Sequence, residues 1–149
     1  MITSPMTIIP KTGFAFARFG ETRSEHRSRL GEYEAWQRDL TATADTDLYL
    51  PTLVSLDYDD TDRLNFIEVM NDEIEVLYEG VPLLNQPEQQ AIAALTDLTG
   101  LPPLKSAGMY AVPELGMRLR CDYDGELDDY TVKNIGLMPE ETHPGFLRD

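Results

Sequence analysis

The stretch LVSLDYDDTDRLNFIEVM, residues 53–70, contains two apolar runs separated by the acidic segment DDTD. The runs extend from about residue 50 to 58 and from 64 to 70, and both have the length and composition of β-strands. Asp and Thr favour turns because their side chains bond nearby backbone groups. The stretch therefore predicts an antiparallel hairpin with its turn at residues 59–62. Apolar residues fall in both alternating sets of the second run, so we expect burial on more than one side.

The segments on either side of this hairpin complete the first half of the chain. Downstream, residues 73–78 predict another strand, and residues 80–84 extend it past the edge residue Pro82. Upstream, an apolar run at residues 14–19 predicts a strand. It is followed by an apolar stripe at helical spacing that predicts a helix from about residue 22 or 24 to Leu40, and residues 41–47 predict a loop.

The second half begins with a clear helix signal. In PEQQAIAALTDLTG, residues 87–100, Pro87 occupies the first turn and Gly100 marks the stop. Strand-like runs follow at residues 109–112, 115–123 and 130–137, with Asp124-Gly125 as a hairpin turn. We expect residues 139–149 to form an irregular tail.

The two halves resemble each other. Residues 50–53, LPTL, are similar to residues 112–115, VPEL, and residues 57–60, DYDD, to residues 122–125, DYDG; Tyr58 and Tyr123 stand 65 residues apart, as do Leu30 and Leu95. The pattern indicates a duplicated β-α-β-β unit with pseudo-repeats at about 12–71 and 72–138. Each unit has too little core to stand alone. We therefore predict a single α+β domain over residues 1–149, mainly antiparallel sheet with two helices on one face; the alternative is an α+β domain without internal symmetry.

The net charge of the chain restricts the classes of molecule that it is expected to bind. The 149 residues include 27 acidic and 12 basic side chains, a net charge of −15, and residues 39–88 contain thirteen acidic side chains but one basic one. Such a charge repels nucleic-acid phosphates and anionic lipids, so we predict no nucleic-acid and no membrane binding. A basic protein is the complementary partner.

The residue types that support most catalysis are scarce. Cys121 is the only cysteine, and His26 and His143 are the only histidines, which excludes an internal disulfide and a structural zinc site built from these residue types. We predict no catalytic residues, no cofactor and no metal, and hence a protein that is not an enzyme. The opening residues lack the pattern of a signal peptide and no stretch approaches a membrane span, so we expect a cytoplasmic protein.

One short motif supports a different reading. Residues 53–61, LVSLDYDDT, resemble the first motif of the haloacid-dehalogenase-like phosphatases. That resemblance implies a magnesium-dependent enzyme in which Asp57 is the nucleophile and Asp59 the general acid and base. Asp128 and Asp129, with Lys105 or Lys133, would supply the other contacts. That family needs βα crossovers after the motif, whereas hairpin patterns follow here, so we favour an acidic turn.

As a type, this small acidic chain without a catalytic set resembles the bacterial immunity proteins of contact-dependent or polymorphic toxin systems. The resemblance implies stoichiometric occlusion of a toxin domain, for example a nuclease, whose basic cleft meets the acidic turns. Tyrosines beside charges are typical interface anchors. The predicted partner-binding residues are Asp57, Tyr58, Asp59, Asp60, Asp62, Asp72, Glu73, Glu75, Tyr78 and Glu79. A structural or regulatory homo-oligomeric module is the other alternative, and the sequence leaves monomer and homodimer open.

Overall fold

The computed structural model describes residues 2–37 and 46–148 and contains one large antiparallel β-sheet. In these residues the strands are β1 (Met6–Thr7), β2 (Gly13–Phe14), β3 (Ala17–Arg18), β4 (Tyr33–Trp36), β5 (Thr46–Tyr49), β6 (Val54–Tyr58), β7 (Leu64–Val69), β8 (Val76–Tyr78), β9 (Val81–Pro82), β10 (Leu104–Ser106), β11 (Met109–Val112), β12 (Met117–Asp124) and β13 (Asp129–Leu137). The α-helices are α1 (Arg23–Arg29) and α2 (Glu88–Thr99), and short 3-10 helices lie at Pro113–Leu115 and Pro144–Phe146.

Eight of these strands form one sheet in the order β10-β11-β12-β13-β7-β6-β5-β4, with every neighbouring pair antiparallel. The register places five residues side by side across the sheet: Asp47, Leu56, Ile67, Leu137 and Met117. All five are buried, so this face is the core face. The predicted α+β class with a mainly antiparallel sheet is confirmed.

Both helices pack on that core face. Helix α1 reaches it through His26, which contacts Tyr58 of β6, and Arg23, which contacts Asp47 of β5. Helix α2 packs against β13 and buries Ala91 and Leu95 in the same apolar cluster. The two helices therefore lie on one face, as predicted. The small sheets β1-β8-β9 and β2-β3 contribute Met6, Val76 and Phe14 to the same cluster.

The hairpin at residues 53–70 forms as the sequence predicts. Strands β6 and β7 pair antiparallel around the turn at residues 59–62. The register shifts between Asp57 and Tyr58, so that Asp57 faces Phe66 and Tyr58 faces Leu64, with Asn65 as the extra residue. This bulge lets Leu64 and Ile67 both enter the core, which explains the mixed apolar pattern of β7.

The first 37 residues differ from the prediction in two places. The expected strand at 14–19 is the hairpin of β2 and β3, with Ala15 and Phe16 between the strands. The expected helix from 22 or 24 to Leu40 ends after Arg29, because Gly31 adopts a φ of 93° and the chain continues as β4. Thr22 caps the short helix through a reciprocal capping box with Glu25. The predicted end of this helix, Leu40, lies outside the described residues.

Two further boundaries are corrected before the hairpin. The expected strand at 50–58 begins only at Val54 as β6, because residues 50–53 form the turn that joins β5 to β6, in which Leu53 has a φ of 60°. The expected loop at 41–47 ends earlier, because Thr46 and Asp47 already pair in β5 with β4. Residues 41–45 of that loop lie outside the described residues.

The second half follows its prediction closely. Helix α2 runs from Glu88 to Thr99, with Pro87 as its N-cap and Gly100 as a left-handed C-cap. Strands β11, β12 and β13 lie within a residue or two of the predicted strands, and the chain turns after Asp124. The tail is more ordered than expected: Glu141 and Phe146 are buried, and Arg118 donates two hydrogen bonds to Glu141.

The loops that connect the strands of the large sheet lie at its two ends. Antiparallel pairing places residues 50–53, residues 70–73 and the β12–β13 loop at one end, which we call the hairpin end. Residues 59–63 and 113–116 lie at the other, which we call the turn end. Neither described helix has the length and apolarity needed to cross a membrane.

Candidate binding surface

The predicted binding residues are divided between the two ends of the sheet. Asp59, Asp60 and Asp62 lie at the turn end, whereas Asp72 and Glu73 lie at the hairpin end. Strand β7 separates them with six residues, which is about 20 Å at the rise of a β-strand. The two acidic turns therefore lie at opposite ends of the sheet, because a single strand connects them.

The turn-end carboxylates are largely used within the protein. Asp59 Oδ1 accepts hydrogen bonds from the backbone N–H groups of Thr61 and Arg63 and from the Thr61 hydroxyl. The Thr61 hydroxyl is the largest of the causes that lower the pKa of Asp59. Asp62 accepts from Arg23 at 3.0 Å. Asp60 and Asp62 are both exposed, and Asp60 is the one of the three that makes no hydrogen bond within the described residues.

Asp57 and Tyr58 point to opposite faces of β6. Asp57 is half-buried and accepts a hydrogen bond from the Thr46 hydroxyl at 2.5 Å. Tyr58 is buried in the core, where its hydroxyl lies 2.8 Å from His26 Nδ1 and Arg23 stacks 4.3 Å above its ring. Tyr58 therefore does not offer its ring to a partner, contrary to its expected anchor role.

The remaining three predicted residues lie in or next to the small β1-β8-β9 sheet. Tyr78 is buried, so its ring, like that of Tyr58, is not accessible to a partner. Glu79 is exposed in the β8–β9 turn. Glu75 is exposed, and its backbone N–H bonds the Ser4 hydroxyl. Glu75 lines the same depression as Asp72 and Glu73. Which of the ten predicted residues bind a partner stays a prediction.

A group of residues that the prediction left out lies at the hairpin end. Tyr123, Leu127 and Tyr130 remain 54%, 57% and 53% exposed, and the two tyrosine rings meet edge to face with centroids 5.7 Å apart. The Tyr123 hydroxyl donates to Asp128, and this hydrogen bond raises the pKa of Tyr123. Large exposed apolar side chains in contact with one another are unusual on a monomer surface.

Carboxylates surround these side chains. Residues 121–133 contain five acidic side chains and one basic one, Lys133. Lys133 Nζ lies 2.7 Å from Asp124 Oδ2, and this hydrogen bond lowers the pKa of Asp124 and raises that of Lys133. Asp72 stands 3.9 Å from the same ammonium group with 86% of its side chain exposed. Together they border an open depression of about 560 Å³ lined by Asp72, Asn85, Tyr123, Asp124, Gly125, Glu126, Leu127 and Lys133.

The sequence contains part of the signal for this surface. The Asp124-Gly125 turn and the acidic run around it are visible in the residues CDYDGELDDYTVK, 121–133. What the sequence does not show is that β12 and β13 continue past their neighbours, which leaves their tyrosines without a covering layer. That property depends on the lengths of β7 and β11.

A second polar cluster lies between α1 and the sheet, and its hydrogen bonds attach the helix to the sheet. Asp47 is fully buried and accepts from Arg23 at 3.2 Å and from two nitrogens of Arg27 at 2.7 Å. His26 is also buried, with Nε2 3.2 Å from Glu21 Oε1. Because a carboxylate only accepts, Nε2 carries the proton and Nδ1 accepts from Tyr58. Burial lowers the pKa of His26, against the opposing hydrogen bond and charge of Glu21.

The residues of the phosphatase alternative are not assembled. Asp57 and Asp59 lie toward the turn end, whereas Asp128, Asp129 and Lys133 lie toward the hairpin end. Burial raises the pKa of the Cys121 thiol to about 12, so it is protonated at neutral pH. Over residues 2–37 and 46–148, no three His, Cys, Asp or Glu side chains are arranged to hold a metal ion. Comparisons with protein-family models, curated proteins and solved structures gave no match to this chain.

Proposed function

We propose that this chain is a stoichiometric inhibitor, which binds a basic protein and neutralises it by covering its active cleft, as immunity proteins do with toxins. The observation that supports this proposal best is the excess of exposed carboxylates at both ends of the sheet. At the turn end Asp60 is unpaired within the described residues, and at the hairpin end Asp72, Glu73 and Glu126 are exposed beside a single ammonium group. Such a surface complements a cleft lined by Lys and Arg.

Electrostatic complementarity gives this mechanism its physical basis. A net charge of −15 attracts a basic partner from a distance and accelerates encounter, while the local arrangement of charges fixes orientation. A toxin that acts on an anionic substrate, such as a nucleic acid, presents the required basic cleft. The proposal places the chain in the cytoplasm, bound to the toxin domain as one copy to one.

The first experiment uses the tagged chain as bait in its native cells, with washes at low and moderate salt and mass spectrometry of the retained proteins. We expect one basic protein in stoichiometric amount. That protein, expressed alone, should stop growth, and co-expression of the chain should restore it. A retained protein that is harmless, or that stays toxic in the presence of the chain, would contradict the proposal.

Purified components then test the mechanism. The activity of the toxin domain should fall linearly and reach zero at one equivalent of the chain. The association rate constant should fall by about tenfold or more between low and high salt, because screening removes long-range attraction. An association rate that is insensitive to salt would argue against electrostatic docking.

A homo-oligomeric module is the second candidate, and one observation favours it. Strand β4 forms one edge of the large sheet in the described part of the chain, and all four of its residues are exposed. An exposed edge can pair with a second copy through backbone hydrogen bonds. Light scattering on the purified chain distinguishes the two candidate functions. Edge pairing predicts that the chain alone forms a dimer and that this dimer persists in high salt.

A further inference from the structure

The β12–β13 hairpin projects beyond its neighbours in the sheet. Strands β12 and β13 stay paired out to Asp124 and Asp129, whereas β7 leaves β13 at Ile135 and β11 leaves β12 at Arg120. Residues 131 and 132 still contact residues 85–87 on one side. The hairpin tip, residues 122–130, therefore stands out from the sheet with its two strands paired to each other.

The tip combines the two features that recognise a guanidinium group. Tyr123 and Tyr130 present exposed aromatic rings. The exposed carboxylates of Glu126 and Asp72 border the same depression as Tyr123. A guanidinium is planar, stacks on aromatic rings and bonds carboxylates through two parallel N–H groups. A lysine ammonium group carries the same positive charge but lacks the planar shape and the two parallel N–H groups.

The same chain already uses this combination twice, between helix α1 and the sheet. Arg27 lies 4.5 Å from the Tyr33 ring while it donates two hydrogen bonds of 2.7 Å to Asp47. Arg23 lies 4.3 Å from the Tyr58 ring and bonds the same carboxylate. At the hairpin tip the tyrosines and carboxylates are present, and the described residues supply no arginine to them.

We infer that the hairpin tip, with Asp72 beside it, is the docking site for an arginine-bearing segment of the basic protein partner. This inference rests on the proposed function and deepens it by naming the surface and the partner chemistry. The turn end fits this role less well, because Asp59 and Asp62 are already hydrogen-bonded and Tyr58 is buried. Lys133 forms an ion pair with Asp124, and its positive charge reduces the negative charge of the hairpin tip.

The test uses two peptides of equal charge, acetyl-(Gly-Arg)5-amide and acetyl-(Gly-Lys)5-amide, titrated into the isotopically labelled full chain and followed by amide NMR shifts. We expect the arginine peptide to shift amides 122–130 and 72–73 more than those of 59–63. It should bind roughly two- to fivefold more tightly than the lysine peptide, the effect of an exposed cation–π contact. Equal affinity for both peptides, no binding, or shifts centred on 59–63 would overturn the inference.

Matched variants separate the local surface from the overall charge. Glu126→Lys and Asp60→Lys change the net charge equally at exposed positions, one at each end of the sheet. Glu126→Lys should weaken the arginine peptide severalfold, whereas Asp60→Lys should change it little. Tyr130→Ala should abolish the preference for arginine, and Lys133→Met should strengthen binding. The NMR spectrum of each variant verifies its fold, and equal effects of the two lysine substitutions would overturn the inference.

Neutralisation assays with the natural partner distinguish an error in the proposed docking site from an error in the proposed inhibitor function. If Asp60→Lys abolishes toxin neutralisation while Glu126→Lys does not, the inhibitor function stands and the docking site is wrong. If the hairpin binds the arginine peptide as expected but no toxic partner is neutralised, the docking site stands and the immunity function is wrong.

Discussion

Asp47 is the residue on which the attachment of α1 depends. Its carboxylate is completely buried and pairs with both Arg23 and Arg27. Asp47→Asn removes the negative charge, so that Arg27 loses its counter-charge and the buried Arg23 keeps the exposed Asp62 in place of a buried carboxylate. Breaking a buried pair from one side costs about 3–5 kcal/mol, so we expect the free energy of unfolding in urea to fall by that amount. The exposed control Asp60→Asn should change it by less than about 0.5 kcal/mol. Equal effects of the two variants would contradict a central role for Asp47.

His26 makes stability depend on pH. Burial lowers the pKa of His26 in the folded chain below its ordinary value of 6.5, so the unfolded chain binds a proton that the folded chain does not. As pH falls through 6.5, proton uptake by the unfolded state lowers stability. We expect the urea midpoint to drop between pH 7.5 and 5.5, and His26→Gln to show a smaller drop. If the urea midpoint of the His26→Gln variant fell as much as that of the wild type, His26 would be excluded as the cause.

Glu21 does not obscure this comparison. Burial alone would raise the pKa of Glu21, but hydrogen bonds from the Arg18 backbone N–H, His26 and Arg29 outweigh it and lower the pKa below 4.5. The stability that Glu21 contributes is therefore lost only in more acidic solution, below the pH window of the His26 test.

At the level of elements, the turn between β11 and β12 is fixed by one glycine. Gly116 adopts a φ of 61°, and a Cβ there would lie 2.1 Å from the Met138 carbonyl oxygen. Gly116→Ala therefore combines backbone strain with a clash against the start of the tail. Gly100→Ala is a matched control, because Gly100 has a φ of 77° with nothing within 4 Å. We expect thermal unfolding to show that Gly100→Ala costs about 1 kcal/mol and Gly116→Ala clearly more. A Gly116→Ala loss no larger than the control's would show that the tail moves aside at no cost.

The elements also show how far the sequence could predict the fold. Local signals succeeded where they had one interpretation: Pro87 and Gly100 mark the two ends of α2. The chain also turns at Gly125 as predicted, but through the four residues 125–128, with the positive φ at Asp128. The long first helix failed because Leu30, Tyr33 and Trp36 fit helical spacing, while the left-handed Gly31 decides the outcome.

The candidate site was harder to predict than the fold. Tyr58 and Tyr123 occupy matching positions in similar tetrapeptides, yet Tyr58 is buried and Tyr123 is exposed. The difference arises because α1 covers β6 at Tyr58, whereas nothing in the described chain covers the end of β12. Strand lengths and tertiary packing determine this contrast, and neither can be read from a local pattern.

In the whole molecule, the order of elements repeats. A short hairpin, a helix and a four-stranded meander occur as β2-β3-α1-β4-β5-β6-β7 and again as β8-β9-α2-β10-β11-β12-β13. The last strands of the two meanders, β7 and β13, pair at the centre of the sheet. This order is compatible with pseudo-repeats at about 12–71 and 72–138, and the duplication itself stays a prediction. Joined in this way, the two meanders share one apolar core.

Net charge acts on the stability of the whole molecule. At −15 the carboxylates repel one another more in the compact state than in the expanded chain. Raising the salt from 10 to 150 mM shortens the screening length from about 30 to about 8 Å. The buried pairs at Asp47 are screened far less, so the net effect of salt should be stabilising. A gain of about 1 kcal/mol would raise Tm by roughly 2–4 °C.

Calorimetry of the wild type and the double variant Asp60→Lys with Glu126→Lys measures this effect. The double variant removes four units of negative charge at exposed positions on opposite ends of the sheet. It should therefore have a higher Tm in low salt and gain less from added salt. A Tm that falls as salt rises, or a double variant with the full salt response, would mean that specific ion pairs outweigh the general repulsion. In that case the acidic surface would cost the fold little, and stability would not limit how much negative charge the surface can carry.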